Sequence, residues 1–189
     1  MPNWCENEVW ITGNADELSE LFAQASKPHP VYEGSEYPIK FLMDNLVPMP
    51  EGYRDDSRWY DWSIENWGCK WDLSQEWDDT RVYYTEGDSE GGLNYQTAWG
   101  PNRQFWITVS ERFPSLRIDL RYLEEGMCFM GQEIIQNGET IDEVYHNDIS
   151  NEMYAKAGAV FDEDGEIDWD QSEVNLWDMF PLIKEQELV

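Results

Sequence analysis

Polar and apolar residues alternate from Asn7 to Thr12 around Val9 and Ile11, which predicts a first strand ending at Gly13. Asn14 is a helix N-cap by type, and Asp16 and Glu17 follow where a first turn favours acid. Leu18, Leu21 and Phe22 then recur at helical spacing, with Pro28 closing the helix. Residues 39–42 read as a short strand, and 47–50 must be extended because Pro48 and Pro50 each restrict the residue before them. Strands are expected over 82–85 and 93–98, around a glycine-rich acidic turn.

Pro101 or Asn102 opens a second helix that puts Phe105, Val109 and Phe113 on one face and ends at Pro114. Leu116, Ile118, Leu120 and Tyr122 alternate as a strand, and Glu124, Glu125 and Gly126 turn the chain into another over 127–135. Asn137-Gly138 signals a type I′ hairpin into a strand over 140–145. In the tail, a helix is expected between Ser172 and Phe180, ended by Pro181. Helices interleaved with hairpin-joined strands predict an α+β sandwich, two helices on one face of a largely antiparallel sheet. The expected division is a domain over 1–146 with a tryptophan-rich insert at about 51–90, and an acidic C-terminal extension over 147–189 packed on or beside it.

Composition changes this picture in one respect. Forty Asp and Glu against twelve Lys and Arg leave a formal charge of −28. Acidic chains that stay disordered lack aromatic residues, whereas this one has 11 Trp, 10 Tyr and 7 Phe. The charge therefore sits on a folded body. It is uneven: residues 51–90 carry a net −8 and 147–189 a net −10, against −4 for 91–146. A field of this sign repels nucleic acid and anionic membrane and attracts a basic partner. The three cysteines, Cys5, Cys69 and Cys128, have neither zinc-site nor redox spacing and read as reduced thiols of a cytoplasmic protein, with no signal peptide and no membrane span.

Four strings in order, MPNWCENEVWITG at 1–13, IENWGCKWD at 64–72, TAWGPN at 97–102 and YLEEGMCFMG at 122–131, resemble the YubB-like family of phage- and plasmid-encoded proteins. The resemblance covers roughly residues 1–146. It implies a ferredoxin-like core and a home on a mobile genetic element; the family has no established general function. Cys69 departs from the pattern, which prefers Thr there, and the tail matches no motif.

Two kinds of candidate site follow. Asp55, Asp56, Asp78 and Asp79 of the insert and Glu163, Asp164, Asp168 and Asp170 of the tail are the carboxylates expected to meet a basic protein surface. Duplex DNA carries a charge per ~1.7 Å of axis, so 28 charges match about 14 base pairs. A nucleic-acid mimic that blocks a DNA- or RNA-binding host protein is therefore the sharper expectation, and general solubility or salt adaptation the plainer one. The alternative site is a ligand pocket at Trp67, Lys70, Trp71 and Asp72. Against it, Trp67 and Trp71 at i, i+4 would plug the core from one helical face, and Trp4 and Trp99 are assigned to the core likewise.

Residues 160–171 resemble a calcium loop but put Val160 and Gln171 where acidic ligands are needed, so a turn between short strands is preferred, with Asp170 and Glu173 as a capping box and at most weak divalent binding. His29 and His146 cannot be paired with a nucleophile by spacing, and Cys5 and Cys128 fall among apolar neighbours as buried thiols. No catalytic residue, metal ligand or cofactor is expected; an acidic accessory subunit of the element's own machinery is the third reading.

Overall fold

The first strand decides the layering. In the computed structural model, which describes residues 3–76 and 79–183, β1 spans Trp4–Thr12 and buries Cys5, Asn7, Val9 and Ile11 on one side. Trp4, Glu6, Glu8 and Trp10 alternate onto the other side. β1 lies between β3 (Glu90–Ala98) and β4 (Arg117–Glu124), antiparallel to both. With β2 (Thr80–Tyr83), β5 (Phe129–Gln136) and β6 (Glu139–His146) the order is β2-β3-β1-β4-β5-β6. The four strands β2-β3-β1-β4 form the ferredoxin-like arrangement, which β5 and β6 prolong as a hairpin. Asn137 and Gly138 make that hairpin turn with φ of 52° and 80°, the left-handed pair a type I′ turn requires.

Two helices cover the inner face. α1 (Ala15–Ala25) starts where the side chain of Asn14 accepts the N–H of Asp16 and Glu17 at 2.9 and 3.1 Å. α3 (Arg103–Arg112) follows the loop at Pro101. Leu18, Leu21 and Phe22 of the first and Phe105, Trp106 and Val109 of the second pack with Val9, Ile11, Leu93, Ile118, Leu120 and Ile135 in one core. Each such side chain contributes about 1.5–3 kcal/mol of burial free energy.

The expected strand over 39–42 is absent; those residues carry no ladder pairing. Side chains take the place of a neighbouring strand. The amide oxygen of Gln75 accepts the N–H of Lys40 and Phe41, and its nitrogen donates to the carbonyls of Phe41 and Leu73. Asp72 accepts the N–H of Met43 and Asp44. Backbone polar groups need partners when buried, and a buried side-chain amide serves as well as a ladder.

The tail binds the opposite layer. Leu123 and Met130 point away from the two helices, and Ile149, Met153, Ala157 and Leu176 close over them as a second small core. Gln132 accepts the N–H of Leu182 and Ile183, and Trp177 donates its indole N–H to Glu6 at 3.0 Å. The helix expected between Ser172 and Phe180 is only a 3-10 turn, Leu176–Met179. The tail's α-helix is instead α4 (Asn151–Lys156), capped by Ser150, whose hydroxyl accepts the N–H of Met153. No described helix is long and apolar enough to cross a membrane.

Candidate functional site

α2 (Arg58–Asn66) ends immediately before Trp67. Gly68 stops it with a φ of 85°, and a Cβ there would stand 3.3 Å from the backbone nitrogens of Arg103 and Gln104. Trp67 and Trp71 therefore do not share a helical face, contrary to their spacing. Trp67 is core: its indole N–H donates to the Val47 carbonyl at 2.9 Å and its ring meets Trp62 edge-on. Past the glycine the chain bends without helix or strand, and Trp71 emerges 40% exposed. Trp4 and Trp99, assigned to the core on residue type, are 45% and 50% exposed. The reason is register: Trp4 sits on the outward-facing set of β1, and Trp99 lies just beyond the end of β3.

Trp71 meets Trp4 at 6.2 Å between ring centroids, tilted by 41°. With Asp72, Ser74, Asp79, Gln96, Thr97 and Ala98 the two rings line a cleft of about 220 Å³. It opens where β3 runs past its edge partner, since β2 pairs only with Gly92 to Tyr95. Lys70 holds its Nζ 4.2 Å from the Trp71 ring centroid without lining the cleft. Of the four residues in the alternative site, Trp71 and Asp72 thus border one cavity, Lys70 flanks it, and Trp67 is inside the core.

Asp72 is bound rather than poised. It accepts the N–H of Met43, Asp44 and Leu73 at 2.7 to 3.0 Å, and burial pushes its carboxyl up to about 6, the backbone N–H groups pulling the other way. A carboxyl raised in the native state keeps its proton over a pH range where the unfolded chain has lost it. Its contribution is therefore most favourable below about pH 4 and declines as pH rises through 6, by about 3 kcal/mol in all. Urea unfolding of wild type and Asp72→Asn should show it: the stability difference between them should fall with rising pH between about 4 and 6. A flat difference curve would refute the assignment.

The acidic candidates are carried at three places in the fold: the start of the insert, the cleft and the tail. Asp55 and Asp56 are exposed at the start of the segment whose Trp62 and Trp67 pack on the helix-covered core, and Asp56 is paired with Arg58. Asp79 is exposed on the cleft, accepting from Ser74. Glu163 and Asp164 stand on a tight turn closed by pairing of Phe161 with Ile167, in the tail that covers the other layer. Asp162 accepts the N–H of Asp164 and Glu166 in that turn, and Asp168 accepts those of Asp170 and Gln171. Asp168, rather than the expected capping pair of Asp170 and Glu173, is thus the side chain holding that bend. Asp78 lies outside the described residues, as does Trp77. Among the described residues no three His, Cys, Asp or Glu are grouped to hold a metal ion.

His29 and two of the three cysteines are engaged or buried. His29 donates from Nε2 to Asp44 at 2.7 Å and accepts the N–H of Val31 at Nδ1, so neither ring nitrogen is available as a base. Burial pushes the Cys5 and Cys69 thiols well above their ordinary range. Cys128 is not buried as its neighbours suggested: it is part-exposed, at a φ of 57° in the turn before β5. A thiol reagent should therefore label Cys128 in the native protein and reach Cys5 and Cys69 only on unfolding, as mass spectrometry of the labelled peptides would record. Glu133, buried on the inner face, is bound by Arg103 at 2.5 Å and by Thr140.

Residues 66–169 match the family described as the ferredoxin-like domain in Api92-like protein. The matched span begins at the last residue of α2, so the central strand β1 lies outside it. The fold is similar to that in the crystal structure of a protein api92 from Yersinia pseudotuberculosis, with a TM-score of 0.53 at 10% identity, covering 77% of this chain and 98% of that one. No curated protein matches the chain.

Proposed function

The chain belongs to the family of Api92-like proteins that carry this ferredoxin-like domain, and from that premise we propose that it is a non-catalytic acidic binding protein whose partner is a basic protein surface. The observation that carries the reading is the unbalanced charge. Of the cationic side chains, Arg54, Arg58, Arg103, Arg121 and Lys156 are each tied to a carboxylate of the protein itself. A formal charge of −28 is left over, with exposed acids on both layers. Such a surface steers a cationic partner from any direction, and salt weakens the attraction.

In its finer form the proposal makes the partner a nucleic-acid-binding host protein, occupied as DNA or RNA would occupy it. The resemblance to YubB-like phage and plasmid proteins supports a mobile element as the source, where such inhibition is of use. Asp55 and Asp56 open the segment that packs on the helix-covered core and the tail acids belong to the segment over the other layer, so a single groove would meet one set or the other. The tail segment with Glu163, Asp164 and Asp170 is the preferred candidate, its exposed bends held by side-chain to backbone hydrogen bonds from Asp162 and Asp168.

An affinity capture from host lysate, washed at two salt concentrations, tests the reading. The retained partner should be basic, and its affinity should fall about tenfold or more between about 0.1 M and 0.4 M salt. Capture that is indifferent to salt would sink the proposal. Loss of binding on neutralising Glu163, Asp164 and Asp170 together, but not Asp55 and Asp56, would assign the contact to the tail.

A further inference from the structure

The cleft between Trp4 and Trp71 brings two exposed tryptophan rings and carboxylate residues together around an open cavity. We propose that it seats an alkylammonium or guanidinium group, such as a lysine or arginine side chain of the basic partner; the inference rests on the binding reading above and names a site for it.

Three observations converge. First, two tryptophans from segments far apart in the chain hold their rings 6.2 Å apart while remaining 45% and 40% exposed. Tryptophan is highly buried on average, and leaving two adjacent rings in water costs burial energy unless something covers them. Second, the cleft carries negative charge at its wall from the exposed Asp79, held by the Ser74 hydroxyl, while the Asp72 carboxylate in the same lining is taken up by backbone N–H groups. Third, the Trp71 ring already accepts an ammonium: Lys70 Nζ stands 4.2 Å from its centroid. The negative face of an indole attracts cations, and carboxylates nearby strengthen that preference.

Size narrows the ligand further. At about 220 Å³ the cavity is below the usual range of ~300–1,000 Å³ for small-molecule sites. It takes a side chain or the end of a polyamine, not a nucleotide or a cofactor. The acidic wall also disfavours a phosphate, which removes nucleic acid bases carried on their own backbone.

The test uses the full chain with ¹⁵N-labelled tryptophan, the indole N–H signals of Trp4 and Trp71 being assigned from the Trp4→Leu and Trp71→Leu variants. Three probes are titrated: acetyl-Gly-Arg-Gly-amide, its neutral citrulline counterpart, and spermidine. The cationic probes should move the Trp4 and Trp71 signals before those of the exposed Trp10, Trp99 and Trp169, and citrulline should not. Trp71→Leu should weaken the binding by about fivefold or more and Asp79→Asn by about threefold. Glu20→Gln, which removes the same charge from exposed α1, should change it by less than about 1.5-fold. Tighter binding of the tripeptide assigns the site to a protein side chain, and tighter binding of spermidine to a free polyamine; both fit the chemistry.

If Asp79→Asn and Glu20→Gln act alike and no tryptophan signal leads, the cleft is no site. Salt-sensitive capture of a basic partner would then still stand, carried by charge alone.

Discussion

Trp67→Ala is expected to lower the unfolding free energy by about 3–5 kcal/mol, whereas Trp71→Ala should lower it by less than about 1 kcal/mol. The two residues are four apart in the chain, and their difference is one of place. Trp67 is 2% exposed and fills space between Trp62 and the core under α3. Truncation leaves a cavity and strips the Val47 carbonyl of its donor, so transfer, cavity and hydrogen-bond terms add. Trp71 has the Trp4 ring and the Lys70 ammonium against it and water over much of the rest. Urea unfolding of both variants would check this. Equal losses would mean that Trp71 is structural, and the cleft would lose its claim to be a site.

Gln75→Leu is expected to cost about 3–5 kcal/mol although the two side chains are close in size. Its buried amide serves four backbone groups: the N–H of Lys40 and Phe41, and the carbonyls of Phe41 and Leu73. Leucine fills the volume and leaves all four unpaired, each a buried polar group whose desolvation is no longer offset. Hydrogen exchange separates this mechanism from plain repacking. The Phe41 amide, bonded only through this side chain, should lose its protection in the variant while those of β1 and β4 keep theirs. Retained protection at Phe41 would show that the segment holds its place without the glutamine.

Much of the sheet was legible because alternation reports it directly. Val9 and Ile11, then Leu116, Ile118, Leu120 and Tyr122, turned inward as their spacing requires. Asn14 and Asn137-Gly138 act where local chemistry puts them, because a cap or a type I′ turn needs only its own few residues. The segment at 39–42 was misread for the opposite reason. Its apolar run has the look of a strand, but its backbone partners are the Gln75 side chain, more than thirty residues on, and the Ala25 carbonyl at the end of α1, which no local pattern announces. The tail shows the same limit. Six residues of α4 make too short a period to stand out, although Ser150 is a cap in plain view, while apolar spacing after Ser172 closes only one 3-10 turn.

The candidate site was half visible. Lys70, Trp71 and Asp72 can be picked out as aromatic and charged neighbours, but Trp4 and Gln96 join them only through the pairing of β1 with β3. Residue type argued for burying Trp4 and Trp99; type is an average over proteins, and exposure is settled by which side of a strand a residue occupies.

By itself the chain's composition determined the sign and size of the charge, and its alternation and caps determined the class of fold, since both depend on residues close together in sequence. Only the tertiary structure decided where the charge lies and which tryptophans face water. Trp62 and Trp67 of the insert pack on the helix-covered layer and the tail packs on its reverse, so Asp55 and Asp56 are carried on one layer and the tail acids on the other, while Asp79 borders the cleft at Trp4. Long-range pairing and register make that division, and they fix it through contacts between residues far apart in the chain.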